Sequence, residues 1–165
     1  MRTLFRKILV PHDLSEHASR ALALAAELAR VHRGELTVLH VIAPYQPVLG
    51  FPEGVTWNLR EEDIVTGARR SLEEMVARAL KGARAPRARC RVVLGDPFQR
   101  IIAAARDADS IATAGRTGLS HLLIGSVAEK VVRHAPVPVL TIHPPAKRRT
   151  STRRARAARR AAPRP

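Results

Sequence analysis

The residues best suited to chemistry are the glycines that follow a short apolar segment late in the chain. Ile111 to Ala114 run into Gly115, and a loop follows before Gly125-Ser126 opens a segment with helical periodicity. Glycines let the backbone approach a ligand closely, and the free N–H groups at a helix N-terminus favour a phosphate. Arg116 would add a positive charge. This layout predicts an anion site, although plain turn glycines have the same spacing.

The same residues have a second interpretation that involves no ligand. Ser126 to Glu129 follow the S-x-x-E pattern of a capping box, which satisfies the first N–H groups of many helices. The loop contains neither Gly-Lys-Ser/Thr nor a complete G-x-G-x-x-G, so it is not a Walker loop or a complete dinucleotide fingerprint. From the residues alone, both interpretations stay open.

Strand and helix patterns alternate along the chain and would position this loop. Ser15 and Asp96 are predicted N-caps, and Gly34 is predicted to stop the first helix. The alternation predicts a single α/β domain, with an open parallel sheet covered by helices on both faces. Apolar runs predict strands at 7–10, 36–42, 90–94, 110–114 and 138–142, and helical periodicity predicts helices at 16–32, 60–81, 126–134 and from residue 97 onward.

The positive charge is unevenly distributed. Of the net charge of +15, residues 144–165 supply nine Lys/Arg and no acid, which leaves +6 for residues 1–143. We predict one domain over 1–143 and a basic, disordered tail over 144–165. Weak, non-specific contact with nucleic acid is one expectation for this tail, and a solvated tail without a partner is the other. It lacks aromatic residues for base stacking.

Other classes of protein find little support in the sequence. The chain has no run of 18 apolar residues, so we expect no membrane span, and its first apolar run is too short for a signal peptide. The single Cys90 fits a reducing cytoplasm. Seven histidines occur without an H-E-x-x-H or a cysteine cluster, so we expect no metal site built by protein alone. His12 is expected to pack or to face solvent.

These features resemble the universal stress protein family. Its nucleotide-binding members carry Gly, two residues, Gly, nine residues, Gly and then Ser or Thr. Here Gly115, nine residues and Gly125-Ser126 match, but Ala112 stands in place of the first glycine. The segment before Gly115 is also about two residues shorter than the resemblance leads us to expect. The stretch ILVPHDLSEHASRALALA resembles the family's first strand, Pro-x-Asp-x-Ser and first helix.

The resemblance implies a Rossmann-like five-stranded sheet of order 3-2-1-4-5 that covers nearly all of residues 3–143. Ligands of such sheets bind where the strand order reverses, here between strands 1 and 4. The expected ligand is ATP or a related adenine nucleotide, with Mg²⁺ arriving on ATP. By resemblance, Asp13 and Val41 would hold the adenosine, and Ala112 would lie near the ribose. Gly115, Gly125 and Ser126 would serve the phosphates.

The resemblance also implies a homodimer through the fifth strand, with Val137, Val139 and Thr141. Simple core packing of these residues is the alternative. We expect a stress-response or regulatory module and not an efficient enzyme, because no nucleophile or base is placed by the spacing. Three alternative functions remain. The first is an ATP-consuming enzyme, although the Ser-Gly-Gly-x-Asp-Ser and His-x-Gly-His motifs of such enzymes are absent. The others are a nucleotide-independent dimeric interaction protein of the same fold and a nucleic-acid-associated protein acting through its tail.

Overall fold

A computed structural model of the chain describes residues 4–44, 60–81, 86–114 and 125–142. The described strands form one parallel sheet of order β3-β2-β1-β4-β5, which confirms the predicted fold class and strand order. The loop with Gly115 and Arg116 and the basic tail lie outside the described residues. The elements are β1 Lys7–Pro11, α1 Glu16–His32, β2 Glu35–Ile42, α2 Glu61–Ala79, β3 Ala88–Leu94, α3 Pro97–Ala105, β4 Ser110–Ala114, α4 Ser126–His134 and β5 Val139–Ile142.

The central strand β1 is buried on both of its faces. Ile8, Leu9 and Val10 are each at most 1% exposed. Ile8 and Val10 pack into a cluster with residues of α1 and α2, whereas Leu9 packs into a second cluster with residues of α3 and α4. Helices therefore cover both sides of the sheet, as a continuous apolar run in a parallel strand predicts. None of the helices in the described ranges is long and apolar enough to cross a membrane.

Helix α1 begins as the sequence predicts and ends for a different reason. The Ser15 hydroxyl oxygen accepts a hydrogen bond from the Ala18 amide at 3.2 Å, which makes Ser15 the N-cap. At the other end, Arg33 takes the left-handed conformation with φ 53°, so the prediction that Gly34 supplies the stop is wrong. Gly34 instead sits against the backbone before β1. A Cβ there would overlap the Phe5 carbonyl oxygen and lie 2.8 Å from that of Arg6.

This close approach predicts that Gly34→Ala destabilises the fold. Overpacking against backbone atoms costs about 1–3 kcal/mol of the free energy of unfolding, because the neighbouring chain has to shift. Gly67→Ala is the matched control, since Gly67 lies in α2 and a Cβ added there would meet no atom within 4 Å. That substitution should stabilise the protein by about 0.5–1 kcal/mol through helix propensity. Denaturant unfolding of both variants checks the pair, and equal effects would contradict the account of Gly34.

Candidate functional site

A cavity of about 310 Å³ opens at the carboxyl ends of the central strands. It lies where the strand order reverses, between β1 with its neighbour β2 on one side and β4 on the other. Sheets of this type bind ligands at this point. The floor is apolar and includes Leu39, Ile101 and Val131. The polar and small residues of its walls come from separate elements: His12, Asp13, Ser15, His17, His40, Thr113, Ala114, Gly125 and Ser126.

Four of the residues predicted for the site line this cavity: Asp13, Val41, Gly125 and Ser126. Ala112 does not belong to its lining. It is 1% exposed and packs in the core cluster that contains Val10. Gly115 and Arg116 fall outside the described residues. The fold therefore brings the two ends of the predicted site together across one cavity and places Ala112 in the core.

Asp13 sits on the turn between β1 and α1. Its carboxylate oxygen Oδ1 accepts a hydrogen bond from the Ser15 amide at 3.1 Å, and Leu14 between them takes a left-handed φ of 61°. Desolvation alone would raise the pKa of Asp13, but hydrogen bonding from Ser15 and the neighbouring His12 hold that pKa below its usual value. Asp13 therefore offers an ionised carboxylate, which only accepts hydrogen bonds, to the cavity.

The opposite wall is the start of helix α4. Its N-cap is Gly125, with φ −51°, and no side chain caps the helix within the described part of the chain. The capping-box interpretation is wrong, because Ser126 is already the first helical residue and Glu129 pairs with Arg133 at 2.9 Å. Phe98 of α3 packs edge-on against His134 at 5.5 Å between ring centroids, which helps to hold α4 in place. Among the described residues, the first N–H groups of α4 thus have no side-chain partner, and such groups favour an anion.

His12 packs inside the protein, which is one of the two expectations for it, but the sequence did not predict its role in the site. It is 2% exposed. Its Nδ1 accepts a hydrogen bond from the Leu14 amide at 3.1 Å, so the ring proton is assigned to Nε2, which lies 3.3 Å from the Ser19 hydroxyl. That hydroxyl in turn donates to the Ser15 carbonyl at 3.1 Å. The imidazole therefore fastens the turn that carries Asp13 to the first turn of α1.

His40 ties the same turn to β2. Its Nδ1 donates to the His12 carbonyl oxygen at 2.8 Å, because a carbonyl can only accept. In the neutral ring Nε2 is then left as an acceptor, and the half-buried side chain lines the cavity. The position of His40 and Thr113 in the sequence could have indicated that they belong to the site. His40 immediately precedes Val41, and Thr113 immediately follows Ala112, both at the carboxyl ends of predicted strands.

The arrangement suits a particular kind of ligand. One wall offers acceptors from Asp13 and His40, the floor is apolar, and the other wall offers backbone donors at Gly125 and Ser126. A molecule with a donor-bearing flat group at one end and an anionic group at the other matches these walls. No group of three His, Cys, Asp or Glu residues is arranged to hold a metal ion within the four described ranges.

The burial of His12 predicts a pH-dependent stability. Burial lowers the pKa of His12, His40 lowers it further, and Asp13 opposes both. The unfolded histidine titrates near pH 6.5, so the unfolded state binds more protons as the pH falls below about 7. The free energy of unfolding should therefore decrease as the pH is lowered, by at most about 1.4 kcal/mol per pH unit. The decrease should end once the pH is below the pKa of His12 in the folded protein. Asp13 changes the free energy of unfolding only below about pH 4, where its carboxylate begins to take up a proton.

Denaturant unfolding between about pH 5 and about pH 8 checks this dependence. His12→Gln should flatten it, because the amide side chain takes no proton. His17→Gln is the control, since His17 is exposed on α1 near the same cavity. An unchanged slope in His12→Gln would contradict the assignment of this pH dependence to His12.

Comparisons with known proteins agree with this architecture. Residues 4–143 match the model of the Universal stress protein family. A Thermus aquaticus protein, "Universal stress protein in QAH/OAS sulfhydrylase 3'region", is 34% identical over 143 residues, which cover 84% of this chain and 99% of the relative. The structure of universal stress protein UspA from Lactobacillus plantarum superimposes with a TM-score of 0.64 at 27% identity, covering 84% of this chain and 97% of that one.

A further solved structure contains a ligand. The universal stress protein from Archaeoglobus fulgidus, in complex with dAMP, superimposes with a TM-score of 0.61 at 26% identity and covers 85% of this chain and 99% of that chain. Together with the sheet order and the family match, these likenesses establish what the first strand and the glycine spacing had suggested. The chain belongs to the universal stress protein family.

Proposed function

We propose that this protein binds ATP or a related adenine nucleotide in the cavity at the carboxyl ends of β1, β2 and β4, and that it acts as a stress-response or regulatory module. The observation that carries the proposal is that two opposite walls of the cavity have complementary polar groups, hydrogen-bond acceptors on one and donors on the other. The Asp13 carboxylate faces the cavity on one side, and the start of α4, without a side-chain cap in the described residues, faces it on the other.

In this proposal the adenosine lies against the end of β2. Asp13 accepts hydrogen bonds from donor groups of the nucleoside, and backbone groups near Val41 contact the base. The His12 and His40 hydrogen bonds keep the Asp13 turn in position before a ligand arrives. Binding then costs little ordering of this turn, which favours affinity. The structure of the Archaeoglobus fulgidus relative in complex with dAMP supports an adenine nucleotide as the ligand class.

The phosphates lie against the start of α4. The amides at Ser126 and Val127 belong to the first turn of the helix, where N–H groups lack intrahelical partners and the helix dipole is positive. Gly115 and Arg116 of the preceding loop complete the phosphate site in this proposal. Mg²⁺, where ATP carries it, is held by phosphate oxygens and water, since magnesium commonly keeps much of its hydration shell.

The proposed role is binding, without efficient catalysis. The described residues around the cavity include His12, but its ring nitrogens already face the Leu14 amide and the Ser19 hydroxyl. Burial also lowers the pKa of His12, which keeps the ring neutral. A cytoplasmic location is part of the proposal. Cys90 is a free thiol and the single cysteine of the chain, which suits a reducing compartment.

We also propose a homodimer formed through β5. This strand pairs only with β4 in the described sheet, so one row of its backbone groups is open. Val137 and Val139 pack against the second core cluster and Thr141 is half-buried, so in this proposal the two copies meet through the backbone of β5 and not through these side chains. Leu140, which is 36% exposed, and Val132 of α4, which is 42% exposed, add apolar surface for a second copy.

Calorimetric titration with Mg-ATP tests the nucleotide site. We expect micromolar binding, which corresponds to about 8 kcal/mol. Asp13→Ala should weaken it by about tenfold to hundredfold, since hydrogen bonds to a charged group contribute about 1.5–3 kcal/mol. Gly125→Val should weaken it as well. The negative φ of Gly125 accepts a side chain, so the variant should fold while the branched side chain narrows the cavity.

Matched controls separate the site from general effects of the substitutions. Asp63→Ala removes an exposed acid in the first turn of α2, and Gly67→Val changes a glycine with open space around it. Both should keep the affinity of the unaltered protein. Absence of binding up to millimolar ATP, in folded protein free of copurified nucleotide, would overturn the proposal and favour the dimeric interaction module.

A further inference from the structure

A row of arginines follows the free edge of the sheet, away from the cavity. Ala88, Cys90 and Val92 of β3 pack against the first core cluster. Side chains alternate along a strand, so Arg87, Arg89 and Arg91 point to the opposite face, and all three are exposed. β3 pairs only with β2 in the described sheet. We call these three residues, together with Arg100, the arginine row.

Arg100 extends the row toward the carboxyl end of the strand. It belongs to α3, and its Nε donates to the Leu94 carbonyl oxygen at 2.9 Å. Its side chain also lies against Gly95, where φ is +135° and a Cβ would approach the Arg100 Nε to 2.7 Å. The guanidinium is therefore anchored at the end of β3, while its terminal NH₂ groups have no hydrogen-bond partner among the described residues.

The described helices leave uncovered the part of this face that carries Arg87, Arg89 and Arg91, although Val93, farther along the same face, packs against the second core cluster. α2 packs on β3 through the first core cluster, whereas α3 packs chiefly on β1, β2 and α4. No helix of the described chain therefore covers the arginines of β3 as α2 covers the other face. A strongly charged strip remains on an exposed sheet edge.

The charge of the row is not neutralised within the described residues. The ion pairs there are Arg30 with Glu27 and Arg133 with Glu129, and neither involves the row. Two acids lie near the row. Glu35 at the start of β2 lies beside Arg87, because the Leu36 amide bonds the Arg87 carbonyl at 2.8 Å. Asp96, the N-cap of α3, lies beside Arg100, whose amide bonds the Asp96 carbonyl at 3.0 Å. Four guanidinium groups thus lie near two exposed carboxylates on this edge, and neither carboxylate forms an ion pair with the row within the described residues.

We propose that the arginine row binds the phosphate backbone of a nucleic-acid strand without reading its sequence. Alternate residues of a strand are about 6.6 Å apart, so the exposed arginines form a line of positive charges that the phosphates of a flexible single strand can follow. Arginine forks match phosphate oxygens. Phosphate contacts position a nucleic acid but do not read bases. This surface lies in the folded domain, is distinct from the basic tail and does not depend on the proposed nucleotide site.

The test measures the binding of a fluorescein-labelled oligothymidylate of about 20 nucleotides to the full chain. Fluorescence anisotropy reports the binding at a range of salt concentrations. The triple variant Arg87→Gln, Arg89→Gln and Arg91→Gln should bind about tenfold to hundredfold more weakly at 0.1 M salt. The slope of log K against log salt should become shallower by about 2, since each lost contact to a single strand contributes about 0.7.

A charge-matched control replaces Arg20, Arg70 and Arg78 by Gln. These arginines are exposed on α1 and α2 and take part in neither of the ion pairs above. The proposal requires this variant to lose much less affinity than the row variant. Equal losses would show an effect of net charge alone, and no loss in either variant would assign binding to the tail. Each result would overturn the proposal.

Two other roles of the arginine row would each give a different experimental result. Arginines on an edge strand also discourage pairing with a second sheet. A row variant that forms larger oligomers by light scattering, with unchanged oligonucleotide affinity, would replace the proposal with this protective role. Binding to phosphatidylserine vesicles through the row, without binding to the oligonucleotide at the same salt concentration, would replace it with a membrane surface.

Discussion

The reversal of strand order beside β1 is the constraint on which the rest of the structure depends. Chain segments leave β1 toward β2 on one side, and β4 joins it on the other, so the covering helices diverge above the carboxyl ends of these strands. The cavity of about 310 Å³ occupies this gap. Because β1 is buried on both faces, the position of the gap is fixed by the core and needs no ligand to form.

Two short segments convert this gap into a candidate site. The Asp13 turn is held by hydrogen bonds through His12, Ser15 and His40. The start of α4 at Gly125 supplies N–H groups without a side-chain cap in the described part of the chain. One segment accepts and the other donates, and an apolar floor separates them. This polarity supports binding of an elongated ligand with an anionic end more directly than any single residue does.

Features set by local physics could be predicted from the sequence. The start of α1 and the caps at Ser15 and Asp96 follow from apolar periodicity and capping chemistry. The order of the parallel strands was supplied by resemblance. Features set by tertiary contacts could not. Gly34 is required because Phe5 and Arg6 pass close to it, and not because it ends the helix.

The same division holds for the site. Gly125 stood out by type and spacing, and Asp13 was assigned by resemblance; both line the cavity. The burial of His12 depends on how α1 and β2 close over the turn, and this closure leaves no periodic signal in the sequence. The S-x-x-E pattern was misleading because Ser126 sits inside α4 and Glu129 bonds Arg133.

Amide chemical-shift mapping by NMR during titration with ATP tests the central claim most directly. The account predicts saturable shifts that are largest at Ser126 and Val127 of α4, at Asp13 and at Val41, which line opposite walls of one cavity. Shifts confined to Arg89, Arg91 and the basic tail would contradict it. ATP would then be acting as a general polyanion on a charged surface, and the cavity would not be its binding site.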